Sequence, residues 1–280
     1  MEGKTVLITG GTGSLGRALA EELIKTNVKK VIIFSRGEYA QVKMEREIGS
    51  EKLRFFIGDV RDKDRLYRAF NKVDIVIHSA ALKHIHKVEL NSFEGVLTNV
   101  FGSKNVIDIA IDRKVKKVLM ISTDKAVDPA TLYGATKLCA EKLFIDGRYY
   151  AGSGNTRFSV IRFGNFINSS GSIFEYFKDL RDKGCNTLPI TDFKMRRYFI
   201  SFQDAVKRIV EVLNIMRGGE VYIPIMREDL IVDIAQRINP LATLSEIGKR
   251  PGEKIRELLY SETEEISRIK NFIVVDNKGR

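Results

Sequence analysis

The 280-residue chain is 44% hydrophobic and 30% charged, an ordinary soluble balance with enough apolar material for one large α/β core and a modest appendage. No apolar run reaches the roughly 18 residues of a membrane helix, and a strand expected directly after Met1-Glu2-Gly3 leaves no room for a signal peptide, so a cytoplasmic protein without membrane contact is expected. The formal net charge of +11 comes from lysines and arginines spread along the chain, densest at Lys29-Lys30 and Lys114 to Lys117; these read as solvated faces before strands rather than a nucleic-acid patch, although charge alone does not separate them from a preference for phosphate-bearing ligands.

Apolar runs that read as buried strands alternate with amphipathic segments: Thr5 to Thr9, Val31 to Phe34, Leu53 to Ile57, Ile75 to His78, Val118 to Ile121 and Phe158 to Ile161. Continuous apolar strands separated by helical periodicity predict a Rossmann-type doubly wound parallel sheet, covered on both faces and joined by right-handed crossovers. The first run leads directly into Gly10-Gly11-Thr12-Gly13-Ser14-Leu15-Gly16, which opens a helix through Leu15, Leu19 and Leu23. That is the context of a dinucleotide fingerprint, in which glycines let the backbone approach a pyrophosphate at a helix N-terminus.

The second run ends in Phe34-Ser35-Arg36, with no acid before Glu38. An acid there would hold a ribose 2′-hydroxyl, whereas Ser35 and Arg36 suit a 2′-phosphate, so NADP is the expected cofactor. Gly58-Asp59-Val60 and His78-Ser79-Ala80-Ala81 follow the third and fourth runs, where the adenine and the centre of the cofactor would lie; taken singly, each is equally a plain strand-end turn. His78 reads as a hydrogen-bonded structural group. His84 and His86 flank Ile85 without a third ligand at zinc-like spacing, so no metal is expected. Cys139 and Cys185 read as reduced thiols with no catalytic role.

The fifth run leads into Ser122-Thr-Asp-Lys125, then Pro129, then a helix that opens with Tyr133-Gly-Ala-Thr-Lys137. Tyr133 and Lys137, four apart, share a helix face. A cation beside a phenol favours the phenolate, which can take a proton from a sugar or alcohol hydroxyl while a hydride leaves the same carbon for a nicotinamide. A hydrolase triad is set aside because the Gly-x-Ser-x-Gly elbow is absent around Ser122. Beyond about residue 163 the alternation loosens into the Asn165 to Ser172 loop, a Leu188-Pro189-Ile190 run and the basic-aromatic run Lys194 to Phe199. The expected division is 1–163 as the NADP-binding domain carrying the catalytic residues, and 164–280 as a smaller sugar-binding lobe interleaved with that core and closing over the strand ends.

Taken together these segments resemble the short-chain dehydrogenase/reductase superfamily in its extended, nucleotide-sugar-modifying branch, and most closely the inverting UDP-N-acetylglucosamine 4,6-dehydratases. The resemblance rests on Thr9 to Gly16, Phe56 to Asp62, Ala80 to His84, Ser122 to Lys125, Tyr133 to Lys137, Arg162 to Asn165 and Arg250-Pro-Gly-Glu-Lys254. It implies Asp124, Lys125 and Tyr133 as the catalytic trio, with Lys137 holding the nicotinamide ribose. It also implies that Lys83, Asn165, Arg197, Arg250 and Glu253 contact a UDP-sugar, and that the protein is a homo-oligomer. Related retaining enzymes carry Met where this chain has Tyr133, and His84-Ile85-His86 replaces a more proline-like sequence. The implied reaction oxidises C-4, eliminates water across C-5 and C-6 with Lys125 as base and Asp124 as acid, and returns the hydride to C-6. A nucleotide-sugar 4-epimerase has no use for such an acid and base, and a non-catalytic NADP-binding regulator has no use for Tyr133 and Lys137.

Overall fold

All six runs form strands in the computed structural model, which describes residues 1–152, 154–169 and 171–276. They are β1 (Thr5–Thr9), β2 (Lys30–Ser35), β3 (Leu53–Ile57), β4 (Ile75–His78), β5 (Lys117–Thr123) and β6 (Arg157–Phe163). Between them lie α1 (Ser14–Leu23), α2 (Glu38–Ile48), α3 (Lys63–Ala69), α4 (Ile85–Leu90), α5 (Ser92–Val96), a π turn (Leu97–Phe101), α6 (Gly102–Asp112), a 3₁₀ turn (Asp124–Ala126) and α7 (Leu132–Tyr150). The six strands are parallel in the order β3-β2-β1-β4-β5-β6, the Rossmann order, which puts all their carboxyl ends on one edge.

Period-two alternation divides the buried side chains between the two faces of the sheet. Val6, Ile8, Val31, Ile33, Ile75 and Ile77 share one cluster with Leu15, Leu19 and Leu23 of α1. Leu7, Ile32, Phe34, Val76, Val118 and Met120 share the other with Leu66, Val106 and Phe144 of α3, α6 and α7.

The chain then runs through β7 (Asn165–Phe166), α8 (Ile173–Asp182), β8 (Thr187–Ile190), β9 (Arg196–Ile200), α9 (Phe202–Ile215), β10 (Glu220–Pro224), β11 (Arg227–Leu230), α10 (Ile231–Ile238), β12 (Thr243–Glu246), β13 (Ile266–Ile269) and β14 (Phe272–Asp276). Interleaving goes further than the loosened pattern predicts. β10 pairs in parallel with β6, and β14 and then β13 add antiparallel, so that one nine-stranded sheet draws on both sides of residue 163. The physical reason is that Val221, Ile223 and Val275 bury against the core face behind β6, while Ile209 and Val212 of α9 complete the cluster around α1.

What stands apart is a lobe made of the β11-β9-β7 and β12-β8 sheets with α8 and α10, packed around Phe177, Leu188, Ile190, Phe199 and Ile234. Within the expected 165–172 loop, Asn165 and Phe166 form β7, and Ser170 lies outside the described residues.

One polar group crosses the core. Arg162 of β6, 1% exposed, bonds Glu141 of α7 at 2.7 Å, Glu264 at 3.0 Å and the Leu259 carbonyl at 2.8 Å. A buried guanidinium needs such partners, and here they lock α7 to the segment before β13. Among the described residues no helix is long and apolar enough to cross a membrane.

Candidate active site

A cleft of about 1260 Å³ lies over the carboxyl ends of the strands, bounded below by Gly10 to Leu15 and above by Arg250 to Glu257. Gly10, Thr12, Gly13, Ser14 and Leu15 line it, whereas Gly16 does not. Gly10 has φ of +66°, and a Cβ there would lie 2.9 Å from the Ala80 backbone, so the turn touches the end of β4. Gly16 serves packing, since a Cβ would sit 2.6 Å from Gly11 Cα. The helix starts at Gly13 with no side-chain cap and no acid in its first turn. Its unsatisfied N–H groups are thereby open to an anion.

Ser35, Arg36, Asp59 and Val60 line one end of the cleft, and Ser79 and Ala80 its middle. Arg36 is exposed, with Nη1 3.9 Å from Asp59 Oδ2. Arg61 binds that same carboxylate at 2.8 and 3.0 Å, so Arg36 is only loosely held. Gln41, which the sequence did not single out, donates to the Ser35 carbonyl and hydroxyl, both at 3.0 Å, and fixes the end of β2.

His78 is structural, as its place at the end of a strand implies. Its Nδ1 meets Thr9 Oγ1 at 2.7 Å, its Nε2 meets Ser103 Oγ at 3.1 Å, and its ring stacks on Phe144. Burial, helped by the nearby Lys137, pushes its pKa down to about 3. His84 and His86 line the cleft with ring centroids 6.5 Å apart. Among the described residues no group of three His, Cys, Asp or Glu side chains is placed to hold a metal.

The reactive corner is built by β5, the 3₁₀ turn and α7. Thr131 caps α7 by accepting from Gly134 N at 3.2 Å, and a Cβ on Gly134 would overlap the Lys125 carbonyl oxygen. Glycine at 134 therefore lets the helix start rest directly on the turn that carries Asp124 and Lys125. Tyr133 is 8% exposed, hydrogen-bonds Thr123 and lines the cleft.

One expectation needs correction. Lys137 does not lower the phenol: burial first, and then the Asp124 carboxylate, push Tyr133 above its ordinary value, with the Thr123 hydrogen bond opposing them. The Lys137 ammonium instead donates to the Ile121 carbonyl at 2.8 Å, and burial pushes its pKa down to about 8 against the pull of Glu141. Desolvation has overridden the four-residue spacing.

Lys125 projects into the cleft. Its Nζ donates to Asp124 Oδ1 at 2.9 Å and to Asn165 Oδ1 at 3.4 Å, and lies 3.9 Å from Glu257 Oε1. Asp124 is wholly buried and is not among the residues lining the cleft; its Oδ1 also accepts from Thr123, and its Oδ2 has no partner.

Lys83, Asn165, Arg197, Arg250 and Glu253 all line the same cleft. Arg197, however, spends donors on the carbonyls of Arg196 (2.7 Å), Ile255 (3.0 Å) and Lys254 (2.9 Å), so it shapes the loop above the cleft.

The profile of the polysaccharide biosynthesis protein family matches residues 6–276. This chain belongs to that family. Among similar proteins, the UDP-N-acetylglucosamine 4,6-dehydratase (inverting) of Campylobacter jejuni is 45% identical over 260 residues, covering 92% of this chain and 78% of its own. The UDP-glucose 4-epimerase of Rickettsia prowazekii is 36% identical over 266 residues, again 92% of this chain and 78% of its own. The solved structure of Pen from Bacillus thuringiensis superposes with a TM-score of 0.94 at 35% identity, covering 99% of this chain and 89% of that one.

Three further residues in or behind the cleft of this family member escaped the sequence reading, Thr123 and Glu257 lining it and Asn99 buried behind it. Thr123 stood inside the Ser122 to Lys125 motif without a role. Asn99, in the π turn, accepts from Leu82 N at 2.8 Å and donates to the Leu82 carbonyl at 3.1 Å and Thr136 Oγ1 at 3.0 Å, tying α7 to the cleft floor. Glu257 lies three residues beyond the Arg250 to Lys254 motif, a proximity that was the only local signal of its place.

Proposed function

We propose that the protein is an inverting UDP-N-acetylglucosamine 4,6-dehydratase, a hydro-lyase that uses bound NADP. The observation that carries this reading is Lys125 Nζ, held in the cleft by Asp124, whose carboxylate also acts on Tyr133. A 4-epimerase needs only an oxidation pair; an added lysine and carboxylate at the same corner suit an elimination.

The residues fit a nicotinamide dinucleotide: an uncapped helix start beside a positive-φ glycine, Ser35 and Arg36 for a 2′-phosphate at one end, and unpartnered hydroxyls of Thr98 and Ser122 along the cleft. When bound, the dinucleotide supplies a hydride acceptor for C-4 and a hydride donor for C-6. Tyr133 takes the proton of the 4-hydroxyl; burial and Asp124 push its pKa up, and the Thr123 hydrogen bond only partly opposes them.

Once C-4 is a ketone, the C-5 hydrogen is acidic. Lys125, as the amine, removes that proton, and the C–H electron pair becomes the C-5 to C-6 double bond. The C-6 oxygen takes up a proton and leaves as water; Asp124 is buried behind the cleft lining, so it supplies that proton by way of the Thr123 hydroxyl, which bonds its Oδ1 and lines the cleft. A proton later delivered to the opposite face of C-5 inverts that centre. Lys83, Arg250 and Glu253 are assigned to the UDP moiety on their place in the cleft.

The same reading gives a cytoplasmic homo-oligomer, supported by the apolar residues Leu90, Phe93, Leu97 and Phe101 left exposed along 90–101. The test is incubation with UDP-N-acetylglucosamine in D₂O followed by proton NMR. A 6-deoxy-4-keto product with deuterium at an inverted C-5 is expected; a 4-epimer that keeps its C-6 hydroxyl would remove the reading.

A further inference from the structure

Glu257 has no part in the chemistry above, yet it and Asp124 are the only carboxylates within 4.0 Å of Lys125 Nζ among the described residues. Glu257 is 5% exposed and lines the cleft. A carboxylate taken out of water requires compensation, and among the described residues Lys125 is the one cation within ion-pairing distance of it.

The segment beneath Glu257 is fixed from two sides. Arg196 N and the Arg197 guanidinium donate to the Ile255 carbonyl at 2.8 and 3.0 Å, and Arg197 also bonds the Lys254 carbonyl. In the other direction, the Lys254 ammonium donates to the carbonyls of Val127 at 2.9 Å and Asp128 at 2.6 Å, directly after the turn that bears Lys125. Glu257 and Lys125 thus ride on segments tied to each other. Three oxygens from three separate segments surround the Lys125 nitrogen: Asp124 at 2.9 Å, Asn165 at 3.4 Å and Glu257 at 3.9 Å.

We infer that Glu257 is the positioning residue of Lys125, keeping Nζ over the cleft while it gains and loses the C-5 proton. The inference rests on the dehydratase reading and deepens it. In the elimination Lys125 acquires a proton and a positive charge as the C-5 to C-6 double bond forms, and the proton of Asp124 reaches the leaving oxygen by way of Thr123. Glu257 supplies a counter-charge 3.9 Å from the new ammonium. The other ionisable groups at this corner are Asp124, Tyr133 and Lys254, and Lys254 is already committed to backbone carbonyls.

The test uses Glu257→Gln, which keeps the shape and removes the charge, beside Glu257→Asp, which restores it one carbon shorter. With UDP-N-acetylglucosamine and the loaded enzyme, Glu257→Gln is expected to make product roughly 10- to 100-fold more slowly, the usual cost of a misplaced reacting group. KM should stay within about twofold, and reduced nicotinamide should accumulate because C-4 oxidation continues without elimination. Glu257→Asp should recover part of the rate. A Gln variant that turns over normally, or one that loses oxidation and elimination in parallel, overturns the inference.

A second measurement needs no turnover. Reductive methylation of Lys125, mapped by mass spectrometry, should run several-fold faster in Glu257→Gln because the nitrogen has lost a partner, and an equal rate overturns the placement. Unmodified protein that leaves UDP-N-acetylglucosamine untouched removes the dehydratase reading instead, and the labelling rates still decide the role of Glu257.

Discussion

Adding one methyl group at Gly134 should separate catalysis from stability. A Cβ there would overlap the Lys125 carbonyl oxygen and lie 3.0 Å from Pro129 Cβ and 3.2 Å from the Lys125 carbonyl carbon. Because backbone cannot rotate away as a side chain can, either the start of α7 or the 3₁₀ turn must move by roughly 1 Å, and a displacement of that size at a reacting group costs about 10² in rate. Overpacking costs about 1–3 kcal/mol, while alanine in a helix is favoured over glycine by about 1 kcal/mol. The net loss of stability is therefore only about 0–2 kcal/mol, a fall in Tm of a few degrees at this chain length. Gly134→Ala should accordingly melt close to the parent yet form ketosugar on the order of 100-fold more slowly by NMR. Gly147→Ala is the control on the same helix: its Cβ would meet the Phe158 ring at 3.1 Å, on the core side, so it should change Tm more than rate. A Gly134→Ala protein with kcat within about twofold of the parent would show that the contact between α7 and the turn does not set the geometry of Tyr133 and Lys125.

Arg36→Asp should reverse the cofactor preference: calorimetry should show the parent binding NADP at least about tenfold tighter than NAD, the worth of one charge-assisted phosphate contact, and equal binding by the parent would remove that role. Tyr133→Phe should keep UDP-sugar affinity while lowering kcat by about 10²–10⁴, as expected for loss of a proton acceptor; near-normal turnover would place the base elsewhere. His78, held at about 3 in the fold against about 6.5 unfolded, is neutral in the native state while the unfolded chain takes a proton. Stability should therefore fall as pH drops from about 6.5 toward 3, by on the order of 1 kcal/mol per unit. Denaturant unfolding should show a shallower fall for His78→Gln, and parallel curves would contradict the assignment.

Most of the strands were legible because they are buried on both faces and so read as apolar runs, the edge strand β3 with its exposed Arg54 and Ile57 being the exception; Thr5 to Thr9, Leu53 to Ile57 and Ile75 to His78 agree at both ends. The others gained one or two residues at their ends, such as Lys30 and Ser35, whose polar side chains sit where strands leave the core. Tyr133, Lys137 and the glycine turn carry local spacing that any reader can weigh. Glu257 does not, since its meaning depends on a lysine 132 positions earlier, 257 minus 125. The return of β10 and β14 to the main sheet was equally hidden, because Glu220–Pro224 and Phe272–Asp276 look like any short strand until β10 is seen to pair with β6 and β14 with β10. Tyr133 shows the limit from the other side: the residue was found, but the direction of its pKa depends on burial and on Asp124, neither of which the four-residue spacing encodes.

The buried Arg162 has a history as well as a place. On the ribosome Glu141 precedes it, but Glu264 is made 102 residues later, an interval of roughly 5–20 s at ordinary elongation rates. For much of that time β6 is also an outermost strand, since β10 has yet to be made, and it presents Phe158, Val160 and Ile161 beside a half-neutralised guanidinium. Burying Arg162 at that stage would leave it with one carboxylate instead of two. The residue that fastens α7 to the end of the chain thus gains its full set of partners only when the segment before β13 is in place.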